Sequence, residues 1–198
     1  NPLWAVQWLE QKGVAGFYTV GDGGAGVVRS WRGGLRLTQK MWSFPVTPFG
    51  KYATFEEFEE NDIEDSQVGH WLTRLQDFSV KHRTARLFYT HPPGARGHLA
   101  ALRRLLRNAK TLQRNGQFRW YSMAQLADFS ERRLGVVFKQ NADETGTTTF
   151  EATHASSLKD LTWLLPRSRY QMPQVRDGAG RVSADDKDWV VTAGRGTR

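Results

Sequence analysis

Cysteine is absent from the 198-residue chain. Its absence excludes disulfide bonds, catalysis by a thiolate and zinc sites with cysteine ligands. No apolar run approaches the roughly 18 residues that a membrane-spanning helix needs, so no membrane span is expected. The chain opens Asn1-Pro2-Leu3-Trp4, with neither an initiator methionine nor the pattern of a signal peptide. This start predicts a processed product or an excised piece.

Negative charge is in deficit. The 28 lysines and arginines outnumber the 20 acidic residues, which gives a net charge of +8 and a pI near 10.0. This excess fits an ordinary basic protein, or one with an anionic partner such as nucleic acid, an acidic glycan or a membrane surface. The hydrophobic content of 39% is typical of a chain that folds around a core.

The apolar pattern predicts alternating helices and strands over residues 1–132. From residue 133 the runs become short and β-branched or aromatic, which predicts a small, mainly β unit over 133–198. The predicted helices include 2–12, 97–115 and 123–132. A short helix is predicted within the acidic run 56–65. A long helix is predicted to begin with Asp65 or Ser66 as its cap and to end at 81–83. The predicted strands cover 15–20, 41–46, 87–90 and 118–121, with a turn-linked ribbon at 29–36.

One motif ends an apolar run in a histidine, at Leu87-Phe88-Tyr89-Thr90-His91-Pro92-Pro93-Gly94. The pattern predicts a buried strand whose tip carries the His91 imidazole, followed by a stiff turn. Ligands of alternating strand–helix folds bind at strand tips. His91 is therefore a candidate general acid or base, or a substrate-orienting group. The structural alternative is a histidine that packs and hydrogen-bonds in a loop.

Two further patterns fall short of a defined site. His91 and His98 could form a metal pair across the proline turn, but no third ligand lies nearby in sequence. The loop Gly21-Asp22-Gly23-Gly24-Ala25-Gly26 lacks the Lys-Ser/Thr of a phosphate-binding loop, so a nucleotide site is not predicted. Asp22, at the end of the first strand, could still line a pocket.

The predicted helix 97–115 has one strongly basic face. Its cations could bind phosphates, with Trp120 and Tyr121 available for stacking, or could form a solvated face. No nucleic-acid motif accompanies them, so nucleic acid is not favoured as a partner. The cations are Arg103, Arg104, Arg107, Lys110 and Arg114.

The order of these elements resembles the C-terminal half of polysaccharide deacetylases with the NodB homology domain. The resemblance covers roughly residues 1–130. It implies an α/β fold in which a partial (β/α) barrel precedes the small β-rich module. The segments that carry it are Arg29-Ser30-Trp31-Arg32-Gly33-Gly34, Trp42-Ser43-Phe44-Pro45-Val46, Phe88-Tyr89-Thr90-His91-Pro92 and Phe118-Arg119-Trp120-Tyr121-Ser122-Met123-Ala124-Gln125-Leu126.

The resemblance implies an N-acetylated glycan as substrate and a catalytic role for His91. In that family the matching histidine helps to form the acetyl pocket and acts as general acid toward the leaving amine. Trp42 and Pro45 match the pocket-lining segment. The predicted substrate-binding residues are therefore Trp42, Pro45, Asp22 at the first strand tip and Tyr89 beside the histidine.

The family holds its divalent, zinc-like metal with an aspartate pair after the first strand and a His-x-x-x-His motif. In this chain no aspartate pair follows the first strand, and no His-x-x-x-His occurs. We therefore expect no metal site, no cofactor and no deacetylase activity from the chain alone. In the complete family fold, metal-activated water attacks the N-acetyl carbonyl. The resemblance favours a periplasmic or extracellular location. A partial barrel predicts a partner, either the missing N-terminal half or a second copy of this chain.

Two alternatives stay open at this level. The chain could be a non-catalytic binding module for an anionic polymer, either an acidic glycan or nucleic acid. It could also be a structural domain with no small-molecule site. Binding of an anionic polymer should weaken steeply as salt rises, whereas recognition of a neutral N-acetylated glycan should barely respond.

Overall fold

The computed structural model describes residues 3–20, 26–46, 48–87 and 89–197. The chain divides into two compact units, Asn1–Ala127 and Asp128–Arg198. Both the helices and the strands of the predicted α/β class are present. Among the described residues the strands form sheets of two or three, and none of these sheets closes into a barrel.

The first unit carries most of the helices, and a last helix runs across the boundary between the units. None of the described helices is long and apolar enough to cross a membrane. The helices are α1 (Leu3–Gln11), α2 (Phe55–Glu60), α3 (Asp65–His82), α4 (Pro92–Gly97), α5 (Leu99–Arg114) and α6 (Met123–Leu134). The strands of the first unit are β1 (Gly16–Val20), β2 (Val28–Arg29), β3 (Trp31–Arg32), β4 (Leu35–Arg36) and β5 (Trp42–Val46).

A small sheet organises the first unit around β5, whose five residues are all buried. Strand β1 runs parallel to β5, with Gly16 opposite Trp42 and Val20 opposite Val46. Strand β2 pairs with β5 in the antiparallel sense. Leu87 joins the end of β5 through a parallel bridge to Val46. The predicted ribbon is confirmed as the β3–β4 hairpin, whose turn uses the positive φ angles of Gly33 and Gly34.

The helices of the first unit enclose an aromatic core. Helix α2 contributes Phe55 and Phe58, whose exposed fractions are 0% and 1%. Helices α3 and α5 pack on them through small and branched side chains at helical spacing. The cluster consists of Phe55, Phe58, Val68, Leu72, Ala101 and Leu105. A second cluster combines Trp42, Phe44 and Ala127.

Side-chain caps explain where two helices, α2 and α6, begin. The predicted capping box of α6 is confirmed: Gln125 Oε1 accepts the Ser122 N–H at 2.8 Å, and Ser122 Oγ accepts the Gln125 N–H at 3.2 Å. Helix α2 has a similar box between Thr54 and Glu57. The predicted cap of α3 is wrong, because the N-cap is Glu64 and makes no side-chain hydrogen bond. Asp65 instead accepts the Ala101 N–H at 3.4 Å.

Four other predicted elements need correction. The prolines after His91 begin α4 rather than a turn, because a proline at the first helical position has the required φ and no N–H to satisfy. The single predicted helix 97–115 is divided at His98 into α4 and α5. Segment 118–121 is not a strand, and the described residues of 87–90 form isolated bridges rather than a regular strand.

The second unit is built from antiparallel strands, of which β8 and β9 were not predicted. A hairpin joins β6 (Val137–Ala142) to β7 (Thr148–Thr153), and a three-stranded sheet has the order β8 (Thr162–Pro166), β10 (Asp188–Ala193), β9 (Gly180–Ala184). The Asp143 carboxylate organises the hairpin turn by accepting hydrogen bonds from Thr145 and Thr147. The Thr145 hydroxyl is the main reason that the pKa of Asp143 lies below its usual value.

Candidate functional site

The His91 imidazole is exposed just beyond the carboxyl end of the parallel strands. Leu87 bridges to Val46, the last residue of β5, and Tyr89 continues in parallel beside Thr54. The Tyr89 carbonyl accepts the Phe55 N–H at 3.2 Å, which ties this segment to the start of α2. His91 then caps α4 with an extended backbone. The chain therefore presents His91 at the edge of the sheet where ligands of α/β folds bind.

Tyr89 holds the imidazole. Its hydroxyl lies 2.7 Å from Nε2 of His91, and the two rings meet edge to face at 4.8 Å between centroids. The Tyr18 ring, on β1, lies 5.5 Å from that of Tyr89. Partial removal of the phenol from water raises the pKa of Tyr89, and its interactions with Tyr18 and the negative charge of Glu56 raise it further.

Glu56 fixes the backbone of the histidine. Its Oε1 accepts the His91 N–H at 2.7 Å, while its Oε2 is buried without a hydrogen-bond partner among the described residues. Burial raises the pKa of Glu56, but the hydrogen bonds from the His91 backbone and the Thr54 side chain outweigh that effect. The pKa of Glu56 therefore lies below its usual value of 4.5, and the group is a carboxylate at neutral pH.

These groups can position a proton. The Tyr89 phenol stays protonated at neutral pH and can donate its hydrogen to His91 Nε2. In that arrangement the neutral imidazole carries its own proton on Nδ1. An exposed imidazole that is held by a neutral phenol and a nearby carboxylate can orient a polar ligand, or give a proton to it.

The other predicted substrate-binding residues do not all join this cluster. Trp42 is buried at the start of β5, with the Arg29 guanidinium 3.8 Å from its ring centroid. Trp42 lies four residue steps along β5 from Val46, a distance of roughly 13 Å in a parallel strand. Pro45 is buried one residue before Val46. Asp22 lies outside the described residues. Of the predicted set, the structure brings Tyr89 to His91.

Glu56 and Tyr18 were not among the predicted site residues. Glu56 belongs to the acidic run 56–65, for which only a short helix was predicted, yet it lies in the first turn of a capped helix and its carboxylate accepts a hydrogen bond from the His91 backbone. The capping pattern of Thr54 and Glu57 was the available signal for that helix start. Tyr18 had no distinguishing signal, because alternation in a short strand does not show which neighbour a side chain meets.

Among the described residues no group of three or more histidine, aspartate or glutamate side chains could hold a metal ion. His98 is buried against the rings of Phe55 and Phe58, whereas His91 is exposed. The Nδ1 atom of His98 lies 3.7 Å from the Asp65 carboxylate, and neither ring nitrogen of His98 has a hydrogen-bond partner in the described part of the chain.

Comparisons with models of protein families, with curated proteins and with solved structures find no match to this chain.

Glu56 should make part of the stability depend on acid pH. Its folded-state pKa is depressed, so its contribution is present above the unfolded-state pKa and is lost as the pH falls through the folded-state pKa. We expect the Glu56→Gln variant to lose less unfolding free energy than the wild type between neutral pH and pH values below 4.5. Urea denaturation at a series of pH values measures this, with Glu60→Gln at the exposed end of α2 as control. Parallel pH profiles of wild type and Glu56→Gln would contradict the assignment.

Proposed function

We propose that the first unit is the His91-bearing part of a NodB-like polysaccharide deacetylase fold and that it contacts an N-acetylated glycan. His91 is the group that faces the acetamido function, Tyr89 orients its ring, and Glu56 fixes its backbone. Because the family's His-x-x-x-His motif does not occur in this chain, we expect the chain alone to bind this substrate without hydrolysing it.

The observation that carries the proposal is the exposed imidazole past the ends of the parallel strands β1 and β5. Its position is set by two independent contacts, the 2.7 Å contact from Tyr89 and the 2.7 Å hydrogen bond to Glu56. A histidine that merely packed in a loop would not need both its ring and its backbone to be fixed. Fixed groups at a strand tip are the arrangement that binding and proton transfer require.

The chemistry assigned to this chain is limited to its own residues. The imidazole can donate a hydrogen bond to the acetamido group of the glycan. When protonated, it can also pass its proton to the nitrogen of a leaving amine, which is the role that the family resemblance implies. The Tyr89 phenol would hold the ring in position during that transfer.

The same proposal includes a partner that covers the open part of the fold. Large apolar side chains are exposed on α1 and on the β3–β4 hairpin, with exposed fractions of 68% for Trp4, 61% for Trp31 and 72% for Leu35. Such a surface favours association. The partner is the missing N-terminal half of the fold or a second copy of this chain. Light scattering that found a stable monomer with no affinity for either would oppose this part of the proposal.

A second function is favoured by the cations of α5. Arg103, Arg104, Arg107 and Lys110 are all exposed, and among the described residues none of them is paired with a carboxylate. This basic face could bind an anionic polymer, in which case the His91 cluster would have no role in binding.

An NMR titration of the full chain separates the two functions. We expect the tetramer of N-acetylglucosamine to shift the ring signals of His91 and Tyr89, with little dependence on salt. The fully deacetylated tetramer should shift them less, because it lacks the acetamido group. The exposed His70, on α3, serves as the internal control and should not move. Shifts confined to α5, produced only by a sulfated oligosaccharide and lost as salt rises, would replace the first function by the second.

A further inference from the structure

The second unit contains a cavity of about 1010 Å³. The β6–β7 hairpin forms one wall, the β8–β10–β9 sheet forms another, and residues 170–177 form a third. Its volume is at the upper end of the range of small-molecule sites. All of its lining residues belong to Asp128–Arg198, so the cavity is a feature of that unit alone.

Three aromatic rings with nearly parallel planes line the cavity. Phe138 is stacked on Phe150, with 5.9 Å between ring centroids and 21° between ring planes. Phe138 is also stacked on Trp163 of β8, with 6.5 Å between ring centroids and 13° between ring planes. The Phe138 side chain remains 45% exposed. The rings therefore offer a solvent-accessible apolar surface that does not serve only to close the core.

On β8 and β10 the residues that line this cavity alternate along the strand. On β8, Trp163 and Leu165 line it, whereas Leu164 between them does not and is 45% exposed. Val191 lies directly opposite Trp163 on β10 and lines the same cavity. Leu164 is thus an apolar residue of the same strand that lies on the other face of the sheet.

The charges that line the cavity cancel. Two carboxylates, Glu151 and Asp177, accompany two guanidinium groups, Arg169 and Arg176. This balance contrasts with the net charge of +8 of the whole chain. It disfavours a polyanion, because binding to phosphate or sulfate groups requires an excess of cations.

The uncharged polar residues that line the cavity favour an amphipathic ligand. Exposed side chains that can donate and accept hydrogen bonds surround the aromatic surface, which makes the cavity a poor match for a purely apolar chain. They are Thr145, Thr147, Thr149, Gln171 and Gln174.

We propose that this cavity binds a neutral oligosaccharide. A sugar ring has an apolar C–H face, which suits the exposed aromatic surface of Phe138, and an edge of hydroxyl groups, which suits the threonine and glutamine side chains. The site goes beyond the proposed function of the first unit. It depends on that function only for the choice of an N-acetylated chain as the probe.

The experiment is an NMR titration of the ¹⁵N-labelled full chain with the tetramer of N-acetylglucosamine. The indole N–H signals report on the eight tryptophans separately, and a Trp163→Phe variant identifies the signal that matters. We expect a saturable shift of the Trp163 signal. The Phe138→Ala variant should bind about tenfold more weakly, because it loses one stacked ring. Leu164→Ala, on the opposite face of β8, should retain the wild-type affinity.

A second variant keeps the test independent of folding. Gln171→Ala removes an exposed polar group outside the strands, and it should weaken binding severalfold with an unchanged amide spectrum. The proposal is overturned if the Trp163 signal does not move, if Phe138→Ala binds as tightly as Leu164→Ala, or if decanoate alone produces the shift. The His91 ring signals in the same titration report on the first unit, so failure at one site is distinguishable from failure at the other.

Discussion

Replacing Phe58 by alanine is expected to lower the unfolding free energy of the first unit by about 3–5 kcal/mol, the usual cost of removing a fully buried phenylalanine. Phe58 is 1% exposed, and its ring meets the rings of Tyr52 and Trp71, each at 5.2 Å. The rings of Phe55 and His98 complete its surroundings at 5.4 Å and 6.0 Å. The substitution therefore removes one partner from four aromatic contacts and leaves a cavity between α2, α3 and α5.

Urea denaturation followed by hydrogen exchange of α3 and α5 amides measures this loss for the first unit. Phe58→Leu should cost less, because it retains more of the buried volume. Trp4→Ala serves as the surface control, since that side chain is 68% exposed and its removal should change stability by no more than about 0.5 kcal/mol. A loss below about 1 kcal/mol for Phe58→Ala would mean that this aromatic cluster is not the core of the unit.

Replacing His91 by alanine is expected to weaken binding of the N-acetylglucosamine tetramer to the first unit by about tenfold to a hundredfold. This range corresponds to the loss of one hydrogen bond made by a group that can carry charge. The fold should survive, because the side chain is exposed and its backbone N–H still reaches Glu56. The measurement is a titration that follows the Tyr89 and Tyr18 ring signals.

Tyr89→Phe distinguishes positioning from direct contact. It keeps the ring contact with His91 and removes only the hydroxyl that lies 2.7 Å from Nε2. We expect a smaller loss of affinity than in His91→Ala, because only the hydroxyl that positions the imidazole is removed and the imidazole itself remains. His70→Ala, at an exposed histidine of α3, should bind like the wild type. Equal affinities of wild type and His91→Ala would remove His91 from the site.

Local patterns predicted the helices and the hairpins well because their signals are contained in short stretches of chain. The Ser122–Gln125 capping box fixed the start of α6, and Gly33-Gly34 fixed the turn between β3 and β4. The start of α4 was missed because a proline pair fits a turn and a helix start equally well. The break at His98 was missed because histidine is not one of the usual helix-capping residues, and His98 makes no side-chain hydrogen bond to the start of α5.

The site was predictable only in part. The motif around His91 indicated an imidazole at a strand tip, and Tyr89 lies two residues before it in the same segment. Glu56 reaches the His91 backbone from 35 residues away in sequence, and Tyr18 approaches Tyr89 from another strand. Contacts of this kind depend on how α2 and β1 pack, which no local periodicity records. The contact between the rings of Phe138 and Trp163 was not predictable for the same reason, because it joins two strands that are distant in sequence.

The parallel pairing of β1 with β5 also has a consequence for the order in which the molecule assembles. Gly16 cannot pair with Trp42 until the connection between the two strands has closed into a loop. The chain therefore loses conformational entropy by closing this loop before the first hydrogen bond of the pairing forms. The β6–β7 hairpin closes over the short Asp143 turn and bears little of that cost. Folding should therefore proceed from the local hairpin and the helices to the parallel strands. The edge that carries His91 would then be among the last parts of the chain to take its final form.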